Sequence, residues 1–166
     1  MIIFKEKIST NLAVNFHVTV KNDYIIKTTL KVATDAAFFC TIEIDQRNSS
    51  IIDKILIWLK DYANKKSSIN LPLLVNGSDF KKKVYQSLLK IGLGKTASYQ
   101  DIAAEIGSKS AARAIGNACN KNPFPLFIPC HRVIRKNQQI GGFALPIEIK
   151  ESLLAFETNP PPDLSI

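Results

Sequence analysis

The spacing of apolar residues changes partway along this 166-residue chain, and that change limits the folds open to it. Within 14–20, 24–32 and 37–44, β-branched and aromatic residues partly alternate with polar ones, the period of two that half-buried strands show. Lys21-Asn22-Asp23 and Thr34-Asp35 supply turn residues between them, so an antiparallel meander is expected. From Ile51 the period lengthens: Ile51, Ile55, Trp58, Leu59 and Tyr62 recur at helical spacing, and Ser50 with Asp53 resembles a capping box. The first half therefore reads as a small antiparallel sheet covered by one helix. The stretch 64–77 is polar at both ends, with Lys65-Lys66-Ser67-Ser68 and Asn76-Gly77, and reads as a linker. It divides the chain into an α/β domain at 1–75 and a second domain at 76–166.

The second domain reads as mainly helical. Ser78 or Asp79 can cap a helix whose Phe80, Val84, Tyr85, Leu88 and Leu89 share a face and which stops before Gly92 and Gly94. A short helical pattern at 102–106 is broken by Gly107, and Ser108-Lys109-Ser110 leads into a second at 111–120. This is helix-turn-helix spacing, which also occurs in proteins that never touch DNA. Ala111, Ala112, Ala114, Gly116 and Ala118 leave Arg113 as the one large cation of that helix before Lys121. Such a helix has little with which to read base edges. Its small residues suit either packing on a neighbouring helix or close approach to a backbone or a narrow groove. A last helix is expected at 147–157, started by Pro146.

Composition narrows the function classes. With 46% hydrophobic and 22% charged residues, the chain is neither collagen-like nor disordered. No apolar run approaches the roughly 18 residues of a membrane span, and the first ten residues mix charge with apolar side chains rather than building a signal-peptide core. A cytoplasmic protein is expected, or a nuclear one in a eukaryote, with no membrane partner. The net charge of +8 makes a polyanion such as nucleic acid a plausible partner. Three widely spaced cysteines argue for reduced thiols rather than a disulfide framework.

Chemistry concentrates in Asn122-Pro123-Phe124-Pro125-Leu126-Phe127-Ile128-Pro129-Cys130-His131-Arg132, an apolar segment stiffened by three prolines that delivers a thiol beside an imidazole. His131, Arg132 and Arg135 are cationic neighbours that favour a thiolate, so Cys130 is the candidate nucleophile. Cys40 reads as a core residue of a strand and Cys119 as a small packing residue. If the segment is extended, Cys130 and His131 point to opposite faces, and His131 acts through a water or by orienting the loop. An activated thiol needs a third group to hold its base, and Glu157 and Asn122 are the candidates.

Several motifs in order carry a family resemblance. Ser98-Tyr99-Gln100, Ala111-Ala112-Arg113-Ala114-Ile115-Gly116, Asn122-Pro123, Ile128-Pro129-Cys130-His131-Arg132-Val133-Ile134 and Lys150-Glu151-x-Leu153-Leu154-x-x-Glu157 together resemble the O6-alkylguanine-DNA alkyltransferases, over about 78–157. The first half resembles that family's N-terminal domain only in general layout, an α/β unit with a ribonuclease H-like fold. The resemblance implies irreversible transfer of an alkyl group from guanine O6 to Cys130, through a chain of Glu157, His131, water and Cys130. It implies that Tyr99 donates to the displaced guanine and that Asn122 ties the loop to the active-site segment. By the same resemblance Ser98, Tyr99, Ala111, Ala112 and Gly116 face DNA in the minor groove, and Arg113 fills the gap left by the flipped base. Ile140, Gly141, Gly142, Phe143 and Ala144 match the lid of the base pocket. The implied partner is double-stranded DNA carrying O6-alkylguanine, with O4-alkylthymine as a further substrate, and the implied state is a monomer.

The chain departs from the family pattern at Tyr85, Asn117, Leu145 and Pro146, which bears on how bulky an alkyl group the pocket admits. No cofactor is implied. With His17 and His131 the sole histidines and no Cys-x-x-Cys pair, no metal site is expected either. Two alternatives remain at this level: a non-catalytic module that recognises alkylated DNA, and a Cys-His hydrolase, for which no oxyanion hole or substrate is legible.

Overall fold

The computed structural model describes residues 1–10, 12–34, 37–46, 49–66, 69–137 and 145–158. Its first half is a four-stranded sheet with one helix. The strands are β1 (Ile2–Ile8), β2 (Val14–Lys21), β3 (Tyr24–Val32) and β4 (Phe38–Ile44), in the spatial order β1-β4-β2-β3, and the helix is α1 (Ser49–Ala63). Asn22 and Asp23 both take positive φ, 49° and 63°, and close a tight hairpin between β2 and β3. The expected meander stops there. The fourth strand crosses to the other side of β2 and runs parallel to it, pairing Asn15 with Phe39 and Val20 with Ile44, so the sheet is mixed rather than antiparallel. Turn residues determine only the pairing of consecutive strands. Which edge a later strand takes is a long-range matter, settled by burying Phe38, Cys40, Ile42 and Ile44 in the sheet interior.

The outer place beside β4 goes to β1, which the sequence pattern did not pick out. Lys5, Glu6 and Lys7 are exposed and Ile8 is buried, so this strand lacks the half-buried alternation by which strands are recognised. Charged side chains on an edge strand discourage pairing with another chain. Ile51, Ile55 and Leu59 of α1 join Phe16, Val18 and Ile42 in the apolar cluster. The helix begins at Ser49, one residue before the cap expected at Ser50.

Part of the expected linker is tied down. Ile25 N–H donates to Pro72 O at 2.9 Å and Leu74 N–H to Ile25 O at 2.9 Å, so 71–75 runs along the edge of β3. Helix α2 (Asp79–Lys90) follows, capped by the Ser78 hydroxyl, which accepts from Lys81 N–H. A short strand β5 (Ala97–Ser98) leads into α3 (Tyr99–Glu105), where Ser98 and Asp101 form a reciprocal capping box. Gly107, at φ +72°, makes the turn that separates α3 from α4 (Ala112–Asn120). Strand β6 (Val133–Ile134) pairs parallel with β5, and α5 (Ile147–Thr158) closes the described chain. Tyr85 of α2 donates its hydroxyl to Ala118 O at 3.1 Å, or to Lys121 O at 3.3 Å, and so fastens α2 to the end of α4.

The two halves share one apolar cluster, and the proline-rich segment lies between them. Phe127 stands edge-on to Phe16 at 5.1 Å and to Trp58 at 4.7 Å. Thr28 of β3 donates its N–H to Pro123 O and its hydroxyl to Pro125 O, each at 2.8 Å. Among the described residues no helix is long and apolar enough to cross a membrane.

Candidate active site

Asn122 is the hub of the thiol-bearing segment. Its side-chain oxygen accepts from Phe124 N–H at 3.0 Å, and its Nδ2 donates to Ile128 O at 2.9 Å and to Cys130 Sγ at 3.2 Å. The chain between them is tight enough to hold Leu126 at φ +77°, in the left-handed region that a side chain rarely adopts, with that side chain buried. Cys130–Arg132 is a single turn of 3-10 helix rather than extended chain. Pro129 enters the turn, and Arg132 N–H donating to Pro129 O at 3.0 Å closes it. Cys130 and His131 are both buried.

A charge cluster stands behind the thiol. Glu157 of α5 accepts from His131 Nε2 at 2.7 Å, from Arg132 Nε at 2.8 Å and Nη2 at 3.0 Å, from the Tyr62 hydroxyl at 2.9 Å and from Gly94 N–H at 3.3 Å. Burial alone would raise this carboxyl, but His131 and Arg132 outweigh it and hold the pKa at about 2. Gly94, at φ +71°, brings its backbone so close that a Cβ there would lie 3.0 Å from Glu157 O. His131 is held below its usual value by burial, against the pull of Glu157. Its Nδ1 is buried and has no protein hydrogen-bond partner among the described residues, which leaves that nitrogen free to take a proton.

The cations are arranged differently from expectation. Arg132 does not serve the thiol: it is spent on Glu157 and on Ile91 O, the latter at 2.6 Å. The positive charge near Cys130 comes instead from Lys150 of α5, fully buried, whose Nζ donates to Val133 O at 2.6 Å. Burial raises the Cys130 thiol, while Asn122, Lys150 and the backbone amides of Cys130 and His131 pull it back down. At rest the sulfur is a thiol with a prepared environment for its anion.

Sequence reasoning passed over Lys150, Tyr62 and the true role of Arg132. A signal existed for Lys150, because Ile149, Lys150, Leu153, Phe156 and Glu157 form the buried stripe of α5, and two charges on an apolar stripe mark a site. Tyr62 was legible as an apolar helix position, and its hydroxyl gave no sign of its partner.

The other expected residues lie along α3 and α4. Tyr99 is half-buried, and burial first, then Cys119 and Cys130, raise its hydroxyl to about 12, so it stays a proton donor. A Cβ on Gly116 would lie 3.8 Å from the Tyr99 ring, which makes these two residues neighbours. Arg113 is exposed, while Ser98, Ala111, Ala112 and Gly116 are half-buried. Ile140, Gly141, Gly142, Phe143 and Ala144 lie outside the described residues. Among the described residues no three His, Cys, Asp or Glu side chains gather to hold a metal.

Residues 79–159 match the family model described as 6-O-methylguanine DNA methyltransferase, DNA binding domain. Over 97 residues, 58% of this chain, it is 45% identical to the constitutive methylated-DNA--protein-cysteine methyltransferase of Bacillus subtilis. The protein of that name from Methanosarcina barkeri is 43% identical over 98 residues, 59% of this chain. The matched stretches span 59% and 62% of those relatives' lengths. Among solved structures, Mycobacterium tuberculosis OGT in complex with DNA superposes with a TM-score of 0.66 at 26% identity, covering 90% of this chain and 96% of that one. The Pyrococcus kodakaraensis O6-methylguanine-DNA methyltransferase shares the fold, with a TM-score of 0.61 at 21% identity over 95% of this chain and 100% of that one.

Proposed function

We propose that this protein repairs DNA by moving an alkyl group, methyl in the simplest case, from guanine O6 to Cys130 in a single irreversible turnover. The observation that carries the reading is two hydrogen-bonded pairs, Asn122 with Cys130 and His131 with Glu157, brought side by side by the adjacent residues Cys130 and His131, all four buried. A water between Sγ and Nδ1 would pass the thiol proton to His131, and Glu157, ionised at neutral pH, would stabilise the imidazolium that results. The thiolate attacks the alkyl carbon, the carbon–O6 bond breaks with its electron pair going to guanine, the Tyr99 hydroxyl donates a hydrogen bond to the displaced oxygen, and the guanine anion takes up a proton from water as the His131 imidazolium gives one back. A soft sulfur suits attack on saturated carbon, and the alkylated thioether has no route back.

The base must leave the duplex to reach a buried sulfur, at a cost of a few kcal/mol. We read α3 and α4 as a helix-turn-helix whose Ser98, Tyr99, Ala111, Ala112 and Gly116 approach the minor groove, with exposed Arg113 filling the vacated stack. Residues 76–166 would be the DNA-binding and alkyl-transfer domain and 1–75 a ribonuclease H-like α/β domain. The partner is double-stranded DNA bearing O6-alkylguanine or O4-alkylthymine, bound by a monomer in the cytoplasm, or in the nucleus of a eukaryote. Intact-protein mass after mixing with an excess of duplex containing O6-methylguanine tests this directly. One methyl on Cys130, with restored guanine and no further turnover, is expected. An unmodified protein that still binds the lesion would make it a recognition module instead.

A further inference from the structure

Glu157 Oε1 receives donors from three directions, and one comes from the first half of the chain. Tyr62 of α1 donates its hydroxyl at 2.9 Å to the same oxygen that accepts from His131 Nε2 at 2.7 Å and Arg132 Nη2 at 3.0 Å. The phenol is held in place. It stacks on Trp58 at 5.4 Å and 10°, tilts against Phe156 at 5.5 Å, and is 3% exposed. We propose that Tyr62 is a positioning residue of the alkyl-transfer reaction, setting from the first half of the chain how strongly Glu157 draws on His131. This rests on the function proposed above and extends it to a residue outside the matched family domain.

The physical argument is competition for one acceptor. A carboxylate oxygen shared among several donors gives each of them less charge than it would give one alone. Burial and the neighbouring carboxylate keep the phenol protonated, so it donates at every working pH. Its hydrogen bond therefore tempers the pull of Glu157 on His131 and fixes the rotation of the carboxylate against the ring. The other groups in this field are Arg132 and Lys150, whose charges lower His131, Cys130 and Cys119, which couple to Lys150, and Lys65, whose charge interacts with Glu157. Tyr62 and Arg132 also border a cleft of about 360 Å³, along with Trp58, Lys65 and Phe127, so deleting one oxygen there opens no sealed interior.

The acid limb of the rate profile reports His131 already protonated at Nδ1 while Cys130 is still a thiol, a state that cannot accept the thiol proton. In the full-length Tyr62→Phe variant Glu157 pulls harder on His131, the imidazolium forms more readily, and the acid limb of single-turnover methyl transfer moves to higher pH. At the foot of the limb the loss is about threefold, a fraction of what a hydrogen bond to a charged group carries. Site-specific 3,5-difluorotyrosine at position 62 keeps the packing and strengthens the donor, so it moves the limb the other way. A role confined to packing would lower the melting temperature of Tyr62→Phe and leave both limbs where wild type has them, and that result overturns the proposal. If wild-type protein transfers no methyl, the functional reading fails while this one is still decided by NMR. The His131 Nε2–H resonance should move downfield in Tyr62→Phe and upfield with difluorotyrosine, and an unmoved resonance refutes it.

Discussion

Replacing Glu157 with glutamine tests the charge cluster as a source of stability. The carboxylate takes five hydrogen bonds, two of them from Arg132, and its side chain is fully buried. Its pKa falls from an ordinary 4.5 to about 2 on folding. At about 1.4 kcal/mol for each tenfold change in proton affinity, that gap corresponds to about 3 kcal/mol of stability from the ionised form. The sign follows from the depressed folded value: the contribution is complete above 4.5 and is lost as pH falls toward 2. His131, held below its usual 6.5, works in the opposite sense, costing stability as pH drops below that value. Glu157 supports the charged imidazole, so its loss enlarges this cost in the variant and offsets part of the narrowing at low pH. Urea unfolding near pH 7 should show Glu157→Gln less stable than wild type by about 3 kcal/mol, and near pH 3 the difference should be smaller. A difference that stays constant between those two conditions would show that the cluster stabilises by packing rather than charge.

Three further outcomes are expected. Gly94→Ala places a Cβ 3.0 Å from Glu157 O at a φ of +71°, and should lower stability by about 2 kcal/mol or more in thermal unfolding, whereas Gly92→Ala, whose Cβ would make an ordinary 3.8 Å contact with Lys95 Cγ, should not. Asn122→Ala removes the donor to Ile128 O and to Cys130 Sγ and strands Phe124 N–H, costing about 2 kcal/mol. It should also slow iodoacetamide labelling of Cys130, because a bond that lowers the thiol pKa is lost. Arg113→Ala should slow repair of O6-methylguanine in duplex DNA far more than reaction with the free alkylated base, and equal losses on both substrates would sink its assignment to the flipped-base gap.

Local interactions were readable where the residues carry them in sequence. Ser98 and Asp101 cap α3, Gly107 ends it, and the β2–β3 hairpin turns on Asn22-Asp23, because each feature is built within a few residues. The thiol segment was legible because three prolines and an asparagine restrict it locally. The mixed sheet was not, since β4 joins β2 across the intervening hairpin and β1 lies at an edge where charge replaces alternation. The same limit hid the wiring of the site. Arg132 is next to His131 in sequence, yet its guanidinium is committed to Glu157, 25 residues on, and to Ile91, 41 residues back. Proximity in sequence suggested a partner for the thiol, and buried carboxylate chemistry claimed the cation instead.

The attachment of the proline-rich segment to β3 bears on how freely this architecture can be recombined. Thr28 uses both its backbone and its hydroxyl to hold Pro123 and Pro125, and Phe127 wedges between Phe16 and Trp58. A transplanted first half would thus need more than the right outline. It would have to offer a donor pair at the place of Thr28, an aromatic slot for Phe127 and a phenol aimed at Glu157. Chimeras that meet those few anchor points should fold around a working thiol, and those that match only in overall layout should leave it adrift.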